Sequence, residues 1–266
     1  MDIPAARWYG IIAQRRSRRR FTTGLIGKDL LEQVSTFCSS FQPFPSVRVV
    51  LIPQPPREIF RGAVGPYGKI KGARSIIAFI GDTLNPYVQE QVGYTGEGVI
   101  LEMTALELDT CWVGGFFRPK IVSSFTEIRE HEKVFAVTPI GHAVERLSVE
   151  EHLMTGFGLT HRRRALKDLV TGLKESAWPS WIKAALEAAR LAPSAVNRQP
   201  WRFHVGNNSI TVSVNQIGLE FGLSKRLCCG IAMLHIEVAT LAEGKQGEWE
   251  FLNHPQVARF IVDNNG

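Results

Sequence analysis

The residues best suited to binding a ligand lie in one short segment, 192–203, which reads Ala-Pro-Ser-Ala-Val-Asn-Arg-Gln-Pro-Trp-Arg-Phe. Apolar residues at helical spacing precede it, and Pro193 should end that helix because proline lacks a backbone donor. Ser194 and Asn197 then lie in a loop, where short polar side chains can bind a ligand or nearby backbone. A second proline closes the loop before a predicted strand. The sequence therefore predicts a stiff polar loop that loses little entropy on binding.

A second candidate site is the run of five arginines within residues 15–20, RRSRRR. Guanidinium groups can pair with phosphate oxygens through two parallel hydrogen bonds, so the run favours an anionic ligand. Such a run is also typical of a solvated surface or a nucleic-acid patch. A further basic segment, HRRR at 161–164, precedes the polar loop, and the net charge of +6 suits an anionic ligand while leaving nucleic acid open.

Composition restricts the class of protein. With 266 residues, 44% hydrophobic and 21% charged, the chain is long and apolar enough for one or two globular domains. No apolar run approaches the ~20 residues that span a membrane, and the N-terminus lacks the apolar core of a signal peptide. The four cysteines form no CxxC pair and the seven histidines no HExxH motif. We therefore expect a soluble cytoplasmic protein with buried free thiols and no metal site.

The elements that must position these segments alternate between helices and strands. Apolar periodicity and bounding prolines or glycines mark each of them. The expected helices cover 27–40, 95–109, 178–191 and 230–243, and the expected strands cover 47–52, 75–80, 134–141, 201–205 and 257–262.

Three segments together resemble the flavin-dependent nitroreductase family. The loop at 192–203 resembles its Ala-Pro-Ser-x-x-Asn-x-Gln-Pro-Trp motif, and 15–21 resembles its Arg-Arg-Ser-x-Arg-x-Phe opening. Cys-Trp-Val-Gly-Gly-Phe at 111–116 is similar to the strand and turn whose backbone N–H groups face the flavin N5 edge. The resemblance spans nearly the whole chain. It implies an α+β, nitroreductase-like fold of mixed antiparallel sheets flanked by helices, with FMN as cofactor.

The resemblance also implies which residues contact FMN. In the family, the opening arginines and serine bind the phosphate and ribityl chain, and the Pro-Ser-Asn loop reaches the flavin across a subunit interface. Lys69 falls where the family often has a basic or polar contact. Arg162 and Arg163, with Arg164 as an alternative, lie in a segment that resembles both the family's basic tail and a second copy of the opening arginine run. No catalytic side chain is expected. The expected contacts are Arg15, Arg16, Ser17, Arg19, Lys69, Gly114, Gly115, Arg162, Arg163, Pro193, Ser194 and Asn197.

The order of arginine run, helix, strand, loop, long helix and tryptophan strand occurs twice. It predicts an internal duplication with halves 1–160 and 161–266. Because family members are usually symmetric dimers, the resemblance implies a monomer that mimics the dimer after gene fusion. The segment 41–46 lacks the asparagine and the Gln-Pro-Trp end, and no Gly-Gly pair follows Trp249. We therefore expect one FMN per chain.

The activity that the resemblance implies is oxidation of NADH or NADPH, with electrons passed through FMN to a nitroaromatic or quinone-like acceptor. The expected partner is that small molecule, with neither nucleic acid nor membrane. One alternative is a flavin-binding protein of the same fold without turnover. Another is a nucleic-acid binder through 15–20 and 162–164, although these runs lack interleaved aromatic residues for stacking. Tyr67, Tyr94 and Phe117 are candidates for an aromatic residue covering the pocket.

Overall fold

The described residues form two compact units. The first comprises the described residues within Arg15–Arg162, and the second comprises Asp2–Gln14 together with those within Arg163–Gly266. The predicted halves differ from these units because residues 2–14, which carry helix α1 (Ala5–Ile12), belong to the second unit. The computed structural model describes residues 2–60, 70–144, 162–215 and 224–263.

The first unit is a four-stranded antiparallel sheet with helices, in the strand order β1-β2-β4-β3. Strand β2 is buried from Ser75 to Gly81, as expected for the continuous apolar sequence of a central strand. The elements of this unit are β1 (Val47–Pro53), β2 (Ser75–Asp82), β3 (Asp109–Thr110), β4 (Glu132–Gly141), α2 (Lys28–Ser40), α3 (Val88–Ala105) and α4 (Pro119–Val122).

Helix α3 begins seven residues before the predicted start at residue 95. Every residue from Gln91 to Met103 is buried. A helix that is buried on all sides has no polar face, so amphipathic periodicity cannot mark its ends. The glycines at 93, 96 and 98 further obscured its first half.

The second unit has a five-stranded sheet in the order β5-β6-β7-β9-β8. Strand β5, which was not predicted, pairs in parallel with β6, and the other neighbours are antiparallel. Besides α1, its elements are β5 (Val170–Gly172), α5 (Ser180–Leu191), β6 (Trp201–Val205), β7 (Ser209–Val214), α6 (Lys225–Ala242), β8 (Gly247–Phe251) and β9 (Gln256–Val262). Helix α1 packs against α6 and α5 of this unit.

Both units follow one order of elements. Apart from the short helix α4 between β3 and β4, the order of helix, two strands, long helix and two strands appears as α2-β1-β2-α3-β3-β4 and again as α5-β6-β7-α6-β8-β9. The sheets repeat one order too, with β6-β7-β9-β8 in place of β1-β2-β4-β3. The long helices α3 and α6 each have 18 residues. An internal duplication that arose by gene fusion stays a prediction.

Candidate functional site

In the first unit, the arginine run joins the strand that leads to the Gly-Gly turn. Ser17 forms a parallel bridge with Thr110, and the N–H of the next residue donates to the Thr110 carbonyl at 2.8 Å. Val113 exchanges two backbone hydrogen bonds of 2.9 Å with Val137 on β4. The turn follows directly, with Gly114 half-buried and its neighbour exposed. Two of the three predicted motifs therefore meet in one unit.

Arg15 is the most deeply buried residue of the arginine run, with only 6% of its surface exposed. Its Nε lies 3.8 Å from Oε1 of Glu97, which is fully buried on α3. Arg15 Nε and Nη1 have no hydrogen-bond partner within the described part of the chain. Burial lowers the pKa of Arg15, and the Glu97 carboxylate opposes that effect. A buried cation with uncommitted donors is suited to holding the acceptor atoms of a ligand.

The other predicted residues of this unit lie nearer the surface. Arg16 is exposed and donates to the Arg15 carbonyl at 2.9 Å, and Arg19 is half-buried. Arg162 is exposed. Arg18, for which the sequence predicted no role, donates to the Val144 carbonyl at 2.5 Å. Lys69 and Tyr67 lie outside the described residues.

In the second unit, the polar loop and a basic residue form one hydrogen-bonded network. Arg163 donates through Nη1 to Asn197 Oδ1 at 2.5 Å and through Nη2 to the Leu191 carbonyl at 3.2 Å. Leu191 ends α5, where a cation is favourable. Ser194 Oγ accepts the backbone N–H of Gln199 at 2.9 Å, and Pro193 is buried. Arg163, Ser194 and Asn197 therefore lie in one local network, and their contact with a cofactor stays a prediction.

The loop holds three left-handed residues that are not glycine. Val196, Asn197 and Gln199 have φ angles of 47°, 53° and 47°. This conformation is unfavourable for a side chain, most of all for a β-branched one. Such strain is concentrated at binding and active sites, where neighbouring interactions maintain it. The loop is therefore held in a conformation that its sequence alone disfavours.

Gln199 is a buried residue that joins this loop to the basic segment. It is 4% exposed, and its Oε1 accepts the backbone N–H of Arg164 at 2.9 Å. Its Nε2 donates to the Asn197 carbonyl at 3.3 Å. Sequence reasoning gave Gln199 no role although it lies within the motif. The available signal was a glutamine placed directly before Pro-Trp, where a buried amide must find partners.

Two of the three aromatic candidates for a pocket cover, Tyr94 and Phe117, are buried. Tyr94 is 3% exposed and meets Phe44 edge-on at 5.2 Å, and Phe117 is a core residue. Both rings are committed to packing. Phe116, which directly follows the Gly-Gly turn, is 38% exposed. It is the aromatic residue that this turn presents to solvent.

Among described residues, no helix is long and apolar enough to cross a membrane, and no group of three or more His, Cys, Asp or Glu side chains could hold a metal ion. All four cysteines are buried and unbridged, which confirms the prediction of free thiols.

Comparison with known proteins identifies the class. A putative nitroreductase from Thermotoga maritima MSB8 aligns with 96% of this chain and 93% of its own, at 17% identity and a TM-score of 0.65. Two partial matches are a nitroreductase with bound FMN from Bacteroides fragilis NCTC 9343 and an FMN-dependent nitroreductase from Clostridium difficile R20291. They show 14% and 17% identity, cover 53% and 52% of this chain and 91% and 89% of theirs, and have TM-scores of 0.43 and 0.41. The chain thus has the nitroreductase fold.

The family follows from a second comparison. The family model described as "Putative TM nitroreductase" matches residues 8–240, which is most of the chain. The protein belongs to this nitroreductase family. A search of curated proteins finds no significant match.

Proposed function

We propose that the protein is an FMN-dependent oxidoreductase of nitroreductase type that uses NADH or NADPH to reduce an electron-poor acceptor. Family membership and the three motifs support this function. The observation that carries it is the state of Arg15, whose buried Nε and Nη1 lack a hydrogen-bond partner among the described residues. Arg15 belongs to the arginine run that pairs with the strand leading to the Gly-Gly turn. Unsatisfied buried donors are rare in folded proteins, and a ligand is one of the few explanations for them.

The proposed cofactor contacts are those that the family resemblance implies. Arg15, Arg16, Ser17 and Arg19 provide cationic and hydroxyl donors for phosphate and ribityl oxygens. Ser194 and Asn197 offer polar atoms on a loop that is already fixed, so that little entropy is lost on binding. Gly114 and Gly115 let a backbone approach a flat ring closely because they carry no Cβ. The predicted contacts Lys69 and Arg162 stay proposals.

FMN, when bound, would accept a hydride from the reduced nicotinamide and donate electrons to the acceptor. The protein's part is to bind the cofactor and to orient its reactive edge. No side chain is required as nucleophile or general base. Phe116 is the proposed stacking surface for the acceptor because it is the exposed ring beside the glycine turn.

The test starts from the purified protein. We expect a flavin absorption spectrum, release of FMN identified by its mass, and bleaching of the bound flavin by NADH or NADPH in the absence of air. A flavin that stays oxidised with both donors would indicate a binding protein without turnover. A colourless protein that takes up no added FMN would refute the proposal.

Matched variants locate the cofactor contacts. Arg15→Gln and Asn197→Ala should each weaken FMN binding about tenfold or more, the loss of one charge-assisted or one good hydrogen bond. Arg18→Gln is the control, because Arg18 donates to the Val144 carbonyl and has no proposed contact. Equal affinities for all three variants would contradict the proposed contacts.

The stoichiometry completes the proposal. We propose one FMN per chain and a monomeric protein, since the first half lacks a second Pro-Ser-x-x-Asn loop. Released FMN per mole of chain, together with sedimentation equilibrium, measures both. Two flavins per chain would show that the segments at 41–46 and after Trp249 form a working site despite their sequences.

A further inference from the structure

The buried carboxylate of Glu97 connects the arginine run, through Arg15, with the segment 111–116, through Trp112. The proposed function uses both segments. Trp112 Nε1 donates to Glu97 Oε2 at 2.7 Å, while Glu97 Oε1 lies 3.8 Å from Arg15 Nε. The two oxygens therefore act differently. Oε2 accepts a short hydrogen bond from the indole, whereas Oε1 attracts the Arg15 guanidinium over a distance too long for a hydrogen bond between them. Arg15 is held in place while its Nε and Nη1 stay uncommitted within the described part of the chain.

Trp112 is fixed on more than one side. Its ring centroid lies 4.9 Å from that of Phe79 on β2. A Cβ built on Gly96 would approach the indole Cη2 to 2.3 Å, so the absence of a side chain at this position makes room for the ring. Glu97 follows Gly96 on α3 and receives the indole N–H. Gly96 and Glu97, which are neighbours on α3, thus fix Trp112 two residues before the Gly-Gly turn.

A purely structural role does not account well for this arrangement. Burying an ion pair costs desolvation energy, and apolar residues of similar size often stabilise a core as well or better. A pair at 3.8 Å recovers less of that cost than a direct hydrogen bond would. The arrangement is suited to holding a cation ready for another ligand.

We propose that Glu97 is a positioning residue of the FMN site, which anchors Trp112 and holds the Arg15 guanidinium buried with its donors free for the FMN phosphate. The inference rests on the proposed function. Loss of the carboxylate charge leaves Arg15 as an unpaired buried cation, which is costly, so the side chain leaves its place. Affinity for FMN should then fall, whereas riboflavin, which has no phosphate, should be affected less.

The second unit offers a matched control. Trp249 Nε1 donates to Glu237 Oε2, also at 2.7 Å, and its ring lies 4.9 Å from that of Phe260. Glu237→Gln therefore alters the same kind of hydrogen bond on the corresponding long helix. Glu237 belongs to none of the proposed cofactor contacts.

The experiment measures dissociation constants for FMN and riboflavin by flavin fluorescence on the apoprotein. We expect Glu97→Gln to weaken FMN about tenfold, which corresponds to about 1.4 kcal/mol. The preference for FMN over riboflavin should fall with it, and Glu237→Gln should stay within twofold of the parent. In an Arg15→Gln background, Glu97→Gln should cause no further loss, because it acts through Arg15.

Three results would overturn the inference alone: unchanged or tighter FMN binding by Glu97→Gln, equal loss of both flavins, or losses that add in the double variant. If Glu97→Gln fails to fold, Trp112→Phe keeps an aromatic ring, although a smaller one, and removes the anchoring N–H. It should lower the preference for FMN in the same direction, and an unchanged preference counts against the proposal. A parent protein that binds neither flavin refutes the proposed function itself.

Discussion

Two arginines of the first unit illustrate how distance from a carboxylate determines what a guanidinium can do. Arg48 donates through Nε and Nη2 to the two oxygens of Glu132 at 2.8 and 2.7 Å. The hydrogen bond with Glu132 raises the pKa of Arg48, and Arg48 lowers the pKa of Glu132. Arg15, at 3.8 Å from its carboxylate, keeps two buried donor atoms without a hydrogen-bond partner among the described residues. The first pair satisfies both of its members, whereas the second is the pair that we propose to serve cofactor binding.

The Arg48–Glu132 pair predicts a pH dependence of stability. Because the folded pKa of Glu132 is lowered, its stabilisation is present above its ordinary pKa of 4.5 and is lost as pH falls through the folded pKa. Glu132→Gln should lower the free energy of unfolding by about 2 kcal/mol at pH 7. The difference from the parent should shrink below about pH 4.5, as urea titrations at several pH values would measure. Glu130→Gln, at a residue 89% exposed, is the control and should change little at any pH.

At the scale of elements, helix α3 can pack against the segment 111–116 only because residue 96, which faces the Trp112 ring, has no side chain. Gly96→Ala places a Cβ 2.3 Å from the Trp112 ring, which is itself fixed by Glu97 and Phe79. We expect a loss of about 1–3 kcal/mol in the free energy of unfolding, typical of overpacking. Gly10→Ala on α1 is the control, since its Cβ would meet nothing within 4 Å. Alanine favours helix, so that variant should be neutral or stabilised by up to about 1 kcal/mol. Similar losses in both variants would contradict the packing argument.

The elements also show what the sequence can predict. Strand β6 was predicted with its observed bounds, because Pro200 precedes it and a glycine turn follows it. Short elements such as α1 and β5 were missed, since eight and three residues carry little periodicity. The motif residues Ser194 and Asn197 were identified through a resemblance. Glu97 was not, because only the fold places it beside Arg15 and Trp112.

At the scale of the whole molecule, the notable feature is that chain order and structural unit do not coincide. Residues 2–14 belong to the second unit, although 148 residues, Arg15–Arg162, separate them from the rest of it. Trp8 and Ile12 of α1 are buried, and the helix packs against α6 and α5. The second unit therefore requires both ends of the sequence.

This organisation predicts the effect of a single substitution. Trp8→Ala removes a fully buried indole and should cost about 3–5 kcal/mol. In hydrogen exchange, protection should fall chiefly in α5 and α6 and less in strands β1 and β2 of the first unit. Tyr9→Ala, at a residue 38% exposed, is the control. Loss of protection centred on the first-unit sheet would contradict the division into units.

The placement of α1 has a consequence for synthesis on the ribosome. Trp8 is translated well before α5 and α6, the helices that cover it, since these span Ser180–Leu191 and Lys225–Ala242. Until both helices have been made, this amphipathic segment lacks its native packing surface. A nascent chain stalled near residue 160 would thus display an apolar helix that chaperones can recognise, and synthesis of α5 and α6 removes that exposure.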